Sequence, residues 1–189
     1  MPTIDPVPLP LPAALATRMA RLVPATMAPP TLFRSVARNE GLFCHLVDSG
    51  LIGPTGLLDR RVLPRELREA LILRTCAATG NAYEWQLHVG TISARMGLTA
   101  AQIENSWSDV IDPGCWDDAQ RAALALVDTL VARRPFTAEL RAALHRHHDP
   151  AQQIEMTQLI GLYAGVAMLV ALIEPELDAY AAPLPANAK

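Results

Sequence analysis

The stretch "LPRELREALILRTCAATGNAYEWQLHV", residues 63–89, contains the clearest helical pattern of the chain. In its first half, apolar residues recur three and four positions apart between Pro64 and Gly80. Proline favours the first turn of a helix and glycine favours its end, so this half is predicted to be one helix. A second helix is expected from about residue 82 to Met96, with Gly97 as its stop. Because the loop between them is short, the two helices should pack antiparallel.

Helix-start signals recur along the rest of the chain. Thr99, Thr137 and Asp149 each precede a stretch of helical periodicity and are expected to be N-caps. Nearer the N-terminus, Thr31 is a possible N-cap for a helical segment that is interrupted at Gly41. No stretch alternates apolar and polar residues with β-branched enrichment. The sequence therefore predicts an all-α fold.

The most apolar stretch is "LIGLYAGVAMLVALI", residues 159–173. It is about 15 residues long, whereas a membrane-spanning helix needs roughly 20, and Glu155 and Glu174 bracket it closely. We interpret it as a fully buried helix, either in the core of one chain or in a subunit interface. The sequence thus predicts no membrane insertion.

Composition and charge narrow the class of protein. The 189 residues are 51% hydrophobic and 19% charged, which is typical of a globular chain. The net charge of -3 gives no electrostatic reason to expect nucleic acid as a partner. We predict a proline-rich N-terminal arm with a short helix (residues 1–30), a helical domain (31–180) and a C-terminal tail (181–189). The arm is expected to fray or to lie across a neighbouring subunit.

The cysteines and the N-terminus indicate a location. Cys44, Cys76 and Cys115 form no CxxC pair and no zinc-like spacing, so free thiols in a reducing cytosol are the simple interpretation. The first residues contain five prolines and no basic region, unlike a signal peptide. We therefore predict a cytoplasmic protein.

One group of side chains on the second helix is suited to chemistry. Glu84 and His88 are four residues apart and share a helix face, while Tyr83 and Trp85 flank Glu84. If the first two helices form a hairpin, Glu69 approaches this pair. Two carboxylates beside one imidazole cannot all keep their solution pKa values, and such groups can move protons on a substrate. The alternative is a solvated face or a buried structural bond.

The stretch "ELREALILRTCAATGNAYEWQLHV", followed by "GLTAAQI", resembles the carboxymuconolactone decarboxylase and alkylhydroperoxidase D-like family. The resemblance covers roughly residues 57–178. It implies an alkylhydroperoxidase D-like helical bundle that forms homo-oligomers, commonly dimers, trimers or hexamers. It also implies a small-molecule substrate, with neither a cofactor nor a metal needed for its proton chemistry.

The family has two branches of chemistry. In the peroxidase branch, a CxxC pair stands at the positions that Asn81 and Glu84 occupy here, so thiol peroxidase activity is not expected. The glutamate and histidine of that branch's proton relay match Glu69 and His88. In the decarboxylase branch, a glutamate and a histidine that act on a small lactone acid match Glu84 and His88. Tyr163 matches an aromatic residue that the final helix contributes to the pocket in relatives.

These patterns predict a cofactor-free lyase or isomerase that transfers protons on a small carboxylated or lactone metabolite. The predicted catalytic residues are Glu69, Glu84 and His88, and the predicted substrate-binding residues are Tyr83, Trp85 and Tyr163. Two alternatives remain open: a peroxidase-related antioxidant protein without the CxxC pair, and a non-catalytic oligomer that binds a small ligand. In the last case the acidic and imidazole groups would form structural hydrogen bonds only.

For two further features, the "HRHHD" sequence and Arg74, a structural interpretation is favoured over a functional one. His145 and His148 in "HRHHD" are three apart and could place two metal ligands on one face, but cationic residues at a helix C-terminus are the favoured interpretation, and no metal is predicted. Arg74 is a possible anchor for a substrate carboxylate, although a surface position is favoured.

Overall fold

The computed structural model describes residues 3–52, 60 and 62–186, and this part of the chain is helical with no strand, as the sequence predicts. The helices are α1 (Ala13–Met19), α2 (Thr31–Val36), α3 (Glu40–Asp48), α4 (Arg65–Ala78), α5 (Ala82–Thr91), α6 (Ala100–Ser106), α7 (Asp118–Val131), α8 (Ala138–His147) and α9 (Pro150–Ile173). The chain divides into two compact units, Met1–Arg60 with Leu169–Ala179, and Arg61–Met168 with Tyr180–Lys189. These are packing units, and the predicted domain limits at residues 30 and 180 stay a prediction.

The first unit gives the N-terminal segment a core of its own. Its buried apolar cluster consists of Val7, Leu15, Met19, Val23, Ala37, Phe43 and Val47. Within it, the backbone of Val7 exchanges hydrogen bonds with Arg34, whose carbonyl accepts from Val7 N–H and whose guanidinium donates to the Val7 carbonyl. The expectation that the arm frays is therefore wrong at Val7, because a buried apolar side chain and a paired backbone hold the segment against α2. That the arm lies across a neighbouring subunit stays a prediction.

The segment after Thr31 forms two helices rather than one. Asn39 caps α3 by accepting a hydrogen bond from the backbone of Leu42, so the break lies at Asn39 and not at Gly41, which is inside α3. Thr31 is the first residue of α2 and not its N-cap. Its backbone N–H and its hydroxyl instead donate to the carboxylate of Asp178, which satisfies the helix end from a distant part of the same unit.

The second unit is built around α4, which packs against α5, α6, α7 and the short 3-10 turn Ser93–Met96. Every residue from Leu67 to Cys76 is buried, so α4 is a central helix rather than one with a single apolar stripe. The following helix, α5, ends at Thr91, earlier than the predicted position 96, and continues as that 3-10 turn. The predicted caps at Thr99, Thr137 and Asp149 are confirmed by side-chain to backbone hydrogen bonds.

Arg74 on α4 is not a surface residue, contrary to the favoured expectation. Its guanidinium forms two hydrogen bonds of 2.7 Å to the carboxylate of Asp128 on α7, and it also donates to the carbonyl of Ser108. The Arg74 side chain is only 7% exposed. Its charge is therefore used to join α4 to α7, and we do not retain it as a substrate anchor.

We expect Asp128→Ala to lower the free energy of unfolding by about 3 kcal/mol, because it leaves the Arg74 charge buried without its carboxylate. The estimate is at the low end for buried pairs because Asp128 is 21% exposed. Urea denaturation of this variant and of wild type would measure the change. Asp118→Ala is the matched control, since Asp118 pairs with Arg121 on the exposed face of the same helix; it should cost at most about 1 kcal/mol. Equal losses in the two variants would contradict the structural role of Arg74.

The final helix, α9, is more exposed than expected. In the described part of the chain it is the one helix that is long and apolar enough to cross a membrane by length and composition, and 28% of its most apolar window is buried. Large apolar side chains on it face outward: Ile154, Met168, Leu169 and Leu172. Full burial in the core of one chain is thus wrong. The other interpretation, a subunit interface, stays a prediction.

Candidate functional site

Three helices of the second unit bring four predicted site residues together. His88 Nδ1 on α5 lies 2.9 Å from Glu69 Oε1 on α4. On the other side of the ring, His88 Nε2 lies 3.2 Å from Tyr163 Oη on α9 and 3.6 Å from Glu84 Oε1. We call these four residues the Glu–His cluster. The predicted convergence of Glu69, Glu84 and His88 is present in the structure, and their catalytic role stays a prediction.

Local backbone structure explains how α4 and α5 present these groups to each other. Gly80 follows the end of α4 and has a φ of 69°, a left-handed conformation that glycine adopts without strain. Asn81 then caps α5 by accepting a hydrogen bond from the backbone N–H of Glu84. The four-residue spacing of Glu84 and His88 places both on the same face of α5.

Glu69 is held in place from two directions. Besides its contact with His88, Glu69 Oε1 accepts a 2.6 Å hydrogen bond from the hydroxyl of Ser93, and its side chain is only 2% exposed. Ser93 was not predicted, since a serine in the 3-10 turn after α5 carries no distinctive sequence signal. A carboxylate fixed in this way orients the imidazole and favours a proton on Nδ1, as in other carboxylate–imidazole pairs.

The charges of Glu69 and His88 stabilise each other. Burial alone would lower the pKa of His88, but the charge and hydrogen bond of Glu69, together with Glu84, raise it to about 10. Burial alone would raise the pKa of Glu69, but the charge of His88 and the hydrogen bonds from His88 and Ser93 lower it. At neutral pH the pair is therefore an imidazolium and a carboxylate.

Two weak acids stay protonated, Tyr163 within the Glu–His cluster and Cys76 beside it. Burial, reinforced by the charges of Glu84 and Glu69, raises the pKa of both Tyr163 and Cys76 well above the ordinary values. Tyr163 is thus a neutral phenol that can donate or accept a hydrogen bond. Cys76 is a neutral thiol, and because the thiolate is the reactive form, it is not activated. Cys115 also has a raised pKa, first through desolvation and then through Asp112.

The cluster is nearly closed to solvent. The side chains of Glu84 and His88 are 11% and 9% exposed, and that of Glu69 is 2% exposed. Two open surface hollows, of about 470 and 440 Å³, lie beside α7 and α8 and contain no residue of the cluster.

Tyr83 and Trp85, the two aromatic residues beside Glu84, are both buried. Trp85 contacts α6. Its indole N–H donates a 2.9 Å hydrogen bond to the hydroxyl of Ser106, and its ring meets Trp107 edge-on with centroids 5.5 Å apart. These contacts fix α5 against α6. For Tyr83 and Trp85, a role as walls of a substrate site stays a prediction.

The "HRHHD" sequence lies at the C-terminal end of α8, where His148 is the C-cap. The distance from His148 Nε2 to the carbonyl oxygen of Ala119 is 2.9 Å. Across the described ranges, 3–52, 60 and 62–186, there is no group of three or more His, Cys, Asp or Glu side chains that could hold a metal ion. The absence of a metal from the chemistry stays a prediction.

Comparison with known proteins gives a family-model match to part of the chain and a similar fold. The sequence model of the carboxymuconolactone decarboxylase family matches residues 55–129, which confirms the predicted resemblance there. The debrominase Bmp8 in its apo form is similar in structure, with a TM-score of 0.72 and 18% identity over 94% of this chain and 92% of that chain. A cysteine-to-alanine variant of Bmp8 in complex with 2,3,4-tribromopyrrole gives a TM-score of 0.67 and 17% identity over the same shares. At these identities the likeness shows the fold alone. No curated protein sequence matched significantly.

Proposed function

We propose that this protein is a cofactor-free enzyme that transfers a proton at a carbon conjugated with a carbonyl group. Its substrate is a small carboxylated or lactone metabolite. The match of residues 55–129 to the model of the carboxymuconolactone decarboxylase family supports this proposal. The observation that carries the proposal is the buried ion pair of Glu69 and His88, whose Nε2 edge faces Tyr163 and Glu84. A charged imidazole held in this way is a proton donor rather than a base.

The proposed reaction uses His88 as the general acid. When a carbon–carboxylate bond of the substrate breaks with loss of CO₂, or a carbon–hydrogen bond breaks with loss of a proton, the electron pair of that bond delocalises into the adjacent carbonyl as an enolate. The Nε2 proton of His88 then passes to carbon, which leaves a neutral imidazole. In an isomerisation, Glu84 accepts the proton that leaves the substrate, since its Oε1 lies 3.6 Å from Nε2 on the same side of the ring. Glu69 keeps the ring oriented throughout, and Tyr163 supplies a neutral hydroxyl beside the transferred proton.

The proposal is tested by following deuterium. A panel of lactone acids and keto acids, including carboxymuconolactone, is incubated with the protein in D₂O and examined by NMR. We expect at least one member to gain deuterium at a carbon conjugated with its carbonyl, at a rate that saturates with substrate concentration. Rates equal to those without protein for every member would contradict the proposal and would favour the non-catalytic ligand-binding alternative.

Burial also bears on the peroxidase-related alternative. Cys76 is fully buried, and the pKa values of Cys76 and Cys115 are raised, so neither thiol is prepared to attack a peroxide. Among the described residues the three cysteines are free. Free thiols support the proposal that the protein works in a reducing compartment such as the cytoplasm.

We also propose that the chain is a homo-oligomer that uses the exposed face of α9. The support is the outward apolar side chains of α9 together with Gly161 and Gly165, which have open space where a Cβ would be and so permit close helix approach. We expect Leu172→Glu to convert a dimer, trimer or hexamer to monomers, as measured by light scattering after size exclusion. Val110→Glu is the control, because Val110 is exposed outside α9. A monomeric wild-type chain would contradict the proposal.

A further inference from the structure

Asn81 has a buried side-chain donor without a hydrogen-bond partner in the described part of the chain. It lies at the start of α5 and is 3% exposed. Its backbone N–H donates to the Cys76 carbonyl at 2.8 Å, and its Oδ1 accepts from the Glu84 N–H at 3.1 Å. Its Nδ2, by contrast, is buried and has no hydrogen-bond partner among the residues that the structure describes. A buried donor without a partner costs about 1–3 kcal/mol, so its retention points to a ligand.

The orientation of this amide is fixed by the helix cap. Only an oxygen can accept from the backbone N–H of Glu84, so Oδ1 faces α5 and Nδ2 is the free end. Both residues that bind Asn81 adjoin the Glu–His cluster. Glu84 belongs to it, and Cys76 is close enough to Glu84 and Glu69 to feel the charge of both. Asn81 is thus bonded to one residue of the cluster and to one neighbour of it.

The surroundings select the chemistry of the ligand. The N-terminus of α5, a helix of 10 residues, carries partial positive charge and favours an oxygen that bears or gains negative charge. A full anion there would be repelled by the carboxylate of Glu84 in the first turn of the same helix. A neutral carbonyl oxygen meets no such repulsion, and it gains negative charge only while its neighbouring carbon reacts.

We propose that Asn81 Nδ2 donates a hydrogen bond to the carbonyl oxygen of the substrate and is a catalytic residue of this site. This inference rests on the proposed function for its chemical step. As the substrate bond breaks, its electron pair moves onto the carbonyl oxygen, and Asn81 stabilises the resulting enolate without giving up a proton. The electrons return when carbon takes the proton of His88, so no other reactant is needed. An amide donor in this position acts most strongly in the transition state.

The binding half of the proposal is tested by NMR with paraconic acid, a stable γ-lactone acid. The side-chain amide signals of Asn81 are assigned by their loss in Asn81→Ser, which keeps a neutral capping oxygen but removes the amide. We expect these signals to move downfield in wild type as paraconic acid is added. The affinity for paraconic acid should fall about tenfold in Asn81→Ser and in Asn81→Asp. The melting temperatures of both variants are measured to show that they remain folded. Asn39→Ser is the control, since Asn39 caps α3 in the same way but is exposed.

The chemical half is tested with the substrate found by deuterium incorporation. Asn81→Ser should lower kcat by about 10²–10³-fold and change KM much less, because the donor acts on the developing oxyanion. A loss confined to KM, or no change in kcat, would overturn the catalytic role.

The outcomes separate this inference from the proposed function. If no compound exchanges deuterium but the Asn81 amide shifts with paraconic acid, the proposed reaction fails and the carbonyl-binding donor stands. Amide signals that stay in place at saturating paraconic acid, whether or not other signals move, would overturn the inference. A water molecule that remains bound to Nδ2 in the presence of the lactone would overturn it too.

Discussion

Replacing His88 with glutamine is expected to lower the rate of deuterium incorporation by about 10²–10⁴-fold, the usual contribution of a general acid. Glutamine retains a polar group of similar length at the position between Glu69 and Tyr163. Its amide is neutral and does not ionise, so it cannot deliver a proton to carbon. The measurement is the initial rate by NMR under saturating substrate, with kcat and KM determined separately.

The control for this prediction is His148→Gln. His148 is also buried, and its ring makes a hydrogen bond to the carbonyl of Ala119, but it lies outside the Glu–His cluster. We expect His148→Gln to keep nearly the full rate at temperatures where it remains folded. If His88→Gln reacts as fast as wild type, His88 is a structural residue and the proposed mechanism is wrong.

The second large effect is on how stability depends on pH. His88 has a pKa raised from 6.5 to about 10 in the folded chain, so the folded state binds a proton that the unfolded chain releases. This stabilisation is complete below pH 6.5 and is lost as the pH rises through about 10. Glu69, with its lowered pKa, contributes stability above about pH 4.5 that is lost at lower pH. Between these limits we expect a maximum, with a fall on the order of a few kcal/mol on the alkaline side.

Glu69→Gln is expected to remove most of the alkaline fall, because the Glu69 charge is the largest of the influences that raise the pKa of His88. Glutamine keeps an oxygen that can accept from both His88 and Ser93. Urea denaturation at a series of pH values between 6.5 and 10 would measure the slope. Glu66→Gln is the matched control, since Glu66 is on the same helix but exposed, and it should leave the slope unchanged. An unchanged slope in Glu69→Gln would contradict the ion pair.

Features with a local cause could be predicted from the sequence. Helix caps at Thr99, Thr137 and Asp149 depend on one side chain and the three residues after it, so the pattern suffices. The pairing of Glu84 with His88 follows from helical spacing alone. Glu69 required one more step, an antiparallel packing of α4 on α5, which a short loop and Gly80 make simple to infer.

The remaining features depend on contacts between distant parts of the chain. Arg74 meets Asp128 across 54 positions, and a basic residue on a helix gives no sign of which distant acid it will meet. Ser93 reaches Glu69 only because α5 gives way to a 3-10 turn. The exposure of α9 is similar, since an apolar helix without periodicity does not reveal which of its faces the same chain covers.

The state of His88 in the folded chain is the centre of the proposed mechanism, and ¹⁵N NMR of its ring nitrogens across pH tests it most directly. We predict that both nitrogens stay protonated through neutral pH and that the ring loses its proton only near pH 10. The Nδ1 signal should respond to Glu69→Gln. A ring that titrates near 6.5, as an ordinary imidazole does, would contradict the ion pair and remove the proton donor from the mechanism.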